Sequence, residues 1–147
     1  MVIVDTSVWV DFIRGVSNAE TDWLRAASGQ ETIALTDLIL CELLQGAGNA
    51  AMVARIEEER APLAVFSSVG EERARRAAGY YRELRRRGQT ARGTVDCLIA
   101  TFCLQQGHLL LHRDHHFDRF EQELGLRVLH PEALGRRGPL RGCPARL

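Results

Sequence analysis

Four carboxylates in this chain stand where a carboxylate is costly. Asp96 opens the run Asp96-Cys97-Leu98-Ile99-Ala100-Thr101-Phe102-Cys103-Leu104, in which nearly every other residue is apolar. A helix apolar on almost all faces belongs in a protein interior, and a charge carried there needs a partner. Glu42 has the same problem within Leu38-Ile39-Leu40-Cys41-Glu42-Leu43-Leu44. Asp5 directly follows the apolar run Met1-Val2-Ile3-Val4, and Asp114 comes shortly after Leu109-Leu110-Leu111. Each acid has an ordinary alternative. Asp5 and Asp114 make good helix caps, and a helix N-terminus offsets part of the charge of Asp96. If the four converge, however, two unit charges about 5 Å apart repel by roughly 3 kcal/mol at an effective dielectric of about 20. Such a cluster requires protonation or a cation. Hard oxygen ligands, without His or Cys at a zinc spacing, select Mg2+ or Mn2+. One or two such ions can polarise a phosphodiester and activate water for in-line attack.

Residues of lesser claim surround the four. Thr6 and Ser7 carry hydroxyls that can cap a first helix and leave Asp5 free to face a crevice. Arg113 can hold a phosphate or face solvent, and Asp118, one helical turn past Asp114, either reaches the rim through a water or is solvated. His112, His115 and His116 flank Asp114, but residues on a strand and a following helix are expected to diverge and not to form a zinc trio. Trp9, Phe12 and Trp23 read as core or dimer-interface packing.

These side chains need elements to position them. Short β-branched or leucine-rich runs predict strands over 1–4, 32–35, 63–66, 108–112 and 127–129. Helices fit 8–14, 18–28, 38–45, 50–60, 71–87, 94–106 and 115–124, several of them ended by Gly. In the helix over 71–87 the apolar stripe is Ala74, Ala77, Ala78, Tyr81 and Leu84. Strands alternating with helices predict an α/β fold: a three-layer α/β/α arrangement around a short, mainly parallel sheet of about five strands. In such a sheet ligands bind at the carboxyl ends of the strands, where Asp5 and Asp114 fall. Residues 1–134 read as one domain, and 135–147 as a flexible Arg/Gly/Pro-rich tail.

Composition narrows the chemistry further. A 147-residue chain with 46% apolar and 26% charged residues is an ordinary globular protein. No apolar run is long enough for a membrane span, and the start lacks the basic segment of a signal peptide, so the expected location is the cytoplasm. The four cysteines lack metal-binding spacing and read as reduced core residues. All 19 basic residues are Arg. They concentrate over 82–92 and in the tail, where they either attract phosphate or cover a solvated helix end. The missing Lys excludes the phospho-accepting receiver domains and the haloacid-dehalogenase-type phosphatases, both of which set a Lys beside the reactive Asp. It also excludes P-loop nucleotide binding, which needs Gly-Lys.

Four motifs in order carry a resemblance: Asp5-Thr6-Ser7-Val8-Trp9, Glu42, Gly88-Gln89-Thr90 ahead of Asp96-Cys97-Leu98-Ile99-Ala100, and Leu110-Leu111-His112-Arg113-Asp114-His115-His116-Phe117. Across about residues 1–131 the chain resembles the PIN-domain ribonucleases, and more narrowly the VapC toxins of bacterial toxin–antitoxin pairs. It departs from them at His112, where the family usually has a small hydroxyl residue. The resemblance implies an Mg2+-dependent endoribonuclease, with Mn2+ able to substitute, that cuts single-stranded or loop RNA, often tRNA, and arrests growth. It implies a homodimer and a small VapB-like antitoxin. Asp5 and Asp96 carry over as the principal metal ligands. Glu42 and Asp114 carry over as acids that bind a second ion or orient the attacking water. The alternative is a non-catalytic PIN-like module that binds RNA or a partner.

Overall fold

In the computed structural model, which describes residues 1–27, 32–90 and 93–134, strand and helix alternate as the hydrophobic pattern requires. Strand β1 (Val2–Val4) is followed by helices α1 (Thr6–Ile13) and α2 (Ala19–Ala27). Strand β2 (Ile33–Thr36) is followed by α3 (Asp37–Gln45) and α4 (Ala50–Arg60). Strand β3 (Ala64–Phe66) leads into α5 (Glu71–Arg86) and α6 (Thr94–Gln106). Strand β4 (Leu109–Leu111) passes through a 3-10 turn at His115–Phe117 into α7 (Asp118–Leu124), and a second 3-10 turn covers Pro131–Leu134. The strands form one parallel sheet in the order β3-β2-β1-β4. Its register sets Ile3 beside Ala34 on one side and Leu110 on the other. All three are fully buried, as befits short apolar strands covered on both faces.

Right-handed crossovers put helices on opposite faces when the chain reverses its direction along a sheet. From β1 through β2 to β3 the path runs one way, and the return to β4 on the far side of β1 runs the other. The helices accordingly pack in two groups. α1 touches α2 and α3, and α3 touches α4, whereas α5 touches α6 and α7. The three-layer architecture read from the sequence is present. Its reversal point leaves a crevice at the carboxyl ends of β1 and β4, where open parallel sheets bind ligands.

Several details differ from the expectation. The fifth strand over 127–129 reduces to one parallel bridge between Leu110 and Val128, giving a four-stranded sheet. Between Gly125, which ends α7 at φ +74°, and the turn at Pro131, the segment is too short to extend the ladder. The last helix begins as a 3-10 turn because Asp114 caps it. Strand β2 runs one residue further, and Thr36 both ends it and caps α3 by accepting the Ile39 N–H at 3.3 Å. Ala74 and Ala78 of the proposed stripe are exposed, so α5 is anchored chiefly by Ala77 and Leu84. Cys41 is exposed and not in the core, since α3 buries only Ile39 and Leu43. Cys97 and Cys103 are buried free thiols, and burial pushes their pKa values up to about 11 and about 12. They are inert filling. The expected tail over 135–147, with Cys143, lies outside the described residues. No helix among the described residues is long and apolar enough to cross a membrane.

Ile3 sits between two neighbouring strands with no exposed surface. Truncation to Ala should therefore cost about 2–5 kcal/mol of unfolding free energy in urea titration. A loss under about 1 kcal/mol, typical of surface sites, would remove β1 from the centre of the core.

Candidate active site

The crevice gathers acids from both strand ends and both helical layers. Asp5, 5% exposed, is itself the cap of α1: its Oδ2 accepts the Ser7 N–H at 2.9 Å and the Ser7 hydroxyl at 2.6 Å. Thr6 and Ser7 thus do not relieve Asp5 of the capping role, as the sequence had suggested. Burial raises the pKa of Asp5, with a smaller push from Asp114, against the lowering effect of the Ser7 hydrogen bonds. The Ser7 hydroxyl oxygen also accepts the backbone N–H of Arg113 at 3.1 Å, which joins the chain after β1 to the chain after β4. From one helical layer comes Glu42, held by the Thr6 hydroxyl, which donates to its Oε2 at 2.5 Å. Burial raises the Glu42 pKa, the Thr6 bond lowers it, and Asp5 adds repulsion.

Asp96 enters from the other layer, in the first turn of α6. Its pKa is pushed up to about 6, first by burial and then by repulsion from Asp114, Asp5 and Glu42, with a small opposing effect of His116. The same four acids that the sequence singled out are those whose charges act on one another here. Gly93, just before α6, was missed. A Cβ at Gly93 would stand 2.7 Å from Asp96 Oδ2, and its φ of −159° is one that any residue adopts. Space for the carboxylate, not backbone freedom, favours glycine there, since a Cβ would push the Asp96 side chain aside. A Gly three residues ahead of an acid at a helix start was the available signal. Asp114 caps the 3-10 turn, its Oδ1 accepting the His116 N–H at 2.9 Å.

The remaining candidates divide. Arg113 pairs with Asp11 and, at 3.4 Å, with Glu20, and with none of the four acids. Its guanidinium is engaged by α1 and α2 while remaining partly exposed. Asp118 lines one cleft together with His112, Arg113 and Asp114. His112 packs its ring against Phe117, 5.1 Å between centroids, and neither ring nitrogen has a hydrogen-bond partner. Burial lowers its pKa, so the ring is neutral packing where the resemblance leads one to expect a hydroxyl. His112 thus lies apart from the two histidines of the following turn, as expected, while His115 and His116 stay together beside Asp114. The turn stacks their rings 4.4 Å apart, and His116 Nδ1 lies 3.1 Å from Asp114 Oδ1. Trp9 is buried and meets Phe12 edge-on at 5.6 Å, in keeping with a packing role. Of the arginines flanking α6, Arg87 is engaged by Glu83 and Glu123, Arg85 and Arg86 are exposed, and Arg92 lies outside the described residues.

Among the described residues, no Arg pairs with any of the four acids. A cluster of carboxylates in which Asp5, Glu42 and Asp96 have raised proton affinity and which no described Arg neutralises suits a divalent ion, which would replace the protons. Asp5, Glu42, Asp96 and Asp114 are the oxygen donors available to hold it.

Comparison with known proteins agrees with this geometry. A family model described as PIN domain matches residues 2–123. Ribonuclease VapC11 of Mycobacterium tuberculosis is 33% identical over 123 residues, spanning 80% of this chain and 90% of that protein. Among solved structures, VapBC2 from Rickettsia felis bound to a DNA fragment from its promoter superposes with a TM-score of 0.70 at 19% identity, covering 88% of this chain and 98% of that one. Mycobacterium tuberculosis VapC20, described as a sarcin–ricin loop cleaving toxin, gives 0.60 at 17% identity, covering 80% and 93%.

Two outcomes follow from the site's electrostatics. The folded chain holds the Asp96 proton more tightly than an unfolded chain does, so between the ordinary value of 3.8 and about 6 the native state carries more protons. Stability of the metal-free protein should therefore fall as pH climbs through that window, and the fall should shrink in Asp96→Asn. Melting temperatures from pH 4 to 7 measure this, and an equal fall in both proteins would contradict it. Gly93→Ala should leave the fold intact but force the Asp96 carboxylate aside, weakening Mn2+ binding in calorimetry by roughly tenfold. Unchanged affinity would show that the close approach is unimportant.

Proposed function

The chain belongs to the PIN-domain family, and on that premise we propose that it is a VapC-type toxin, a divalent-metal-dependent endoribonuclease of the cytoplasm. The substrate is single-stranded or loop RNA, with tRNA the first candidate, and cleavage inhibits translation and growth. One observation carries the reading. Acids distant in sequence, Asp5, Glu42, Asp96 and Asp114, act on one another's charge at the mouth of the β1/β4 crevice, and no described Arg neutralises them.

A bound Mg2+, or Mn2+ in its place, supplies charge for the phosphodiester and lowers the pKa of water. Asp5 and Asp96, both raised chiefly by burial and with the charge of Asp5 acting on Asp96, are assigned as its principal holders. Glu42 and Asp114 either take a second ion or accept the proton of the attacking water. Thr6 and Ser7 are positioning residues: the Thr6 hydroxyl orients Glu42, and Ser7 fixes Asp5 while tying the two loops. Arg113 is drawn off by Asp11 and Glu20 and does not neutralise the four acids.

Two partners complete the reading. A VapB-like antitoxin closes the crevice in the resting cell, in keeping with the toxin–antitoxin complexes whose toxin subunits share this fold. A second copy of the chain forms a homodimer, for which the parts of Leu38, Leu40 and Leu44 on α3 that the core leaves uncovered are available.

The test is cleavage of defined stem-loop RNAs by the full-length chain freed of antitoxin. Cutting is expected with Mg2+ or Mn2+ and not with EDTA. Asp5→Asn and Asp96→Asn should each lose roughly a thousandfold in rate, the worth of several kcal/mol of charge stabilisation, while circular dichroism stays unchanged. A folded wild-type chain that binds RNA but leaves it whole under these conditions would establish the non-catalytic module instead.

A further inference from the structure

The cluster at the sheet's end contains an imidazole that no role above absorbs. His116 is fixed by Asp114, whose Oδ1 accepts its backbone N–H at 2.9 Å and lies 3.1 Å from its ring Nδ1. The same nitrogen is 4.0 Å from Asp96 Oδ2. At 23% exposure the His116 side chain is as enclosed as that of Asp96. His115 stacks on it and brings its own Nδ1 within 3.7 Å of Asp114 Oδ1, but its side chain is 75% exposed. One donor atom from each of Asp114, His115 and His116 falls within 4.8 Å of the other two.

Donors bonded at about 2.0–2.2 Å to one ion stand roughly 3–4 Å from each other. Nδ1 of His116 meets that spacing towards both acids, which come from different layers of the fold. We propose that His116 supplies a nitrogen ligand, through Nδ1, to the ion held between Asp96 and Asp114, and that this mixed carboxylate–imidazole set favours Mn2+ over Mg2+. The inference rests on the metal-dependent reading above and deepens it. Mg2+ demands oxygen donors and sheds water reluctantly, whereas imidazole suits transition ions. An all-carboxylate site lacks this means of discrimination. The bond from the His116 backbone N–H to Asp114 Oδ1 fixes the backbone that carries the ring, and the ring already stands beside that carboxylate, so less ordering is left for binding to impose.

The experiment uses the full-length chain stripped with EDTA and loaded with Mn2+. Electron paramagnetic resonance counts the bound ion, and electron spin-echo modulation reads whether a nitrogen nucleus is bonded to it. Wild-type protein should show nitrogen coupling and, in competition, bind Mn2+ at least about tenfold tighter than Mg2+. His116→Gln should lose the coupling and weaken Mn2+ by roughly tenfold, with Mg2+ affinity nearly unchanged. His115→Gln should keep both. Absence of nitrogen coupling in the wild type, or coupling that persists in His116→Gln, overturns the assignment. The wild-type spectrum decides this even if the variant fails to fold. Either result leaves the metal centre standing provided that Asp96→Asn abolishes Mn2+ binding. Equal Mn2+ binding by wild type and Asp96→Asn would overturn the metal centre and this inference together.

Discussion

Repulsion between carboxylates in a poorly solvated crevice is the constraint on which this structure turns. Water screens exposed acids cheaply, but Asp5 is almost wholly buried, and Asp96 is pushed up to about 6 by burial and by three acidic neighbours. A sequence that only had to fold would put Asn or Ser at these places. The chain instead accepts the penalty and offsets it locally with hydrogen bonds from Ser7 and Thr6. That offset is partial, because the net shift of Asp5 and Glu42 remains upward. A cation is the component that balances the account.

Helix geometry makes the arrangement tolerable. Asp5 caps α1, Asp114 caps the 3-10 turn, and Asp96 lies in the first turn of α6. Helix starts present unpaired N–H groups and the positive end of a dipole, so three of the four acids stand where backbone favours negative charge. Capping and chemistry are thus not rival explanations. Amide donors fix two of these carboxylates, the Ser7 N–H that of Asp5 and the His116 N–H that of Asp114, whereas Asp96 has only the dipole of its helix start. The reversal of sheet order between β1 and β4 then brings these helix starts to one mouth.

Most of the architecture could be read from the sequence, because short apolar strands and Gly-ended helices have strong signals. The four acids were legible for a related reason: a charge inside an apolar run conflicts with its surroundings, and that conflict marks a site. What could not be read depended on packing across distance. The fifth strand failed because periodicity does not reveal how little room lies between Gly125 and Pro131. Cys41 was misplaced because an apolar run does not say which face of α3 turns outward. Arg113 could not be assigned until α1 and α2 placed Asp11 and Glu20 around it. Gly93 was overlooked, and His116 was weighed only as part of a zinc trio, because their meaning lies in ångström-scale approach to a neighbouring carboxylate, which residue type alone does not encode.

The bond between the Ser7 hydroxyl and the Arg113 amide spans most of the sequence, as does the pairing of β1 with β4. Contacts of such separation form late and slow folding. They also give biosynthesis a direction. A nascent chain that has left the ribosome only as far as α6 already carries Asp5, Glu42 and Asp96, yet it lacks the strand that closes the crevice against β1. The acidic mouth is therefore assembled only when translation has delivered β4 and the turn behind it, near the end of the domain's synthesis.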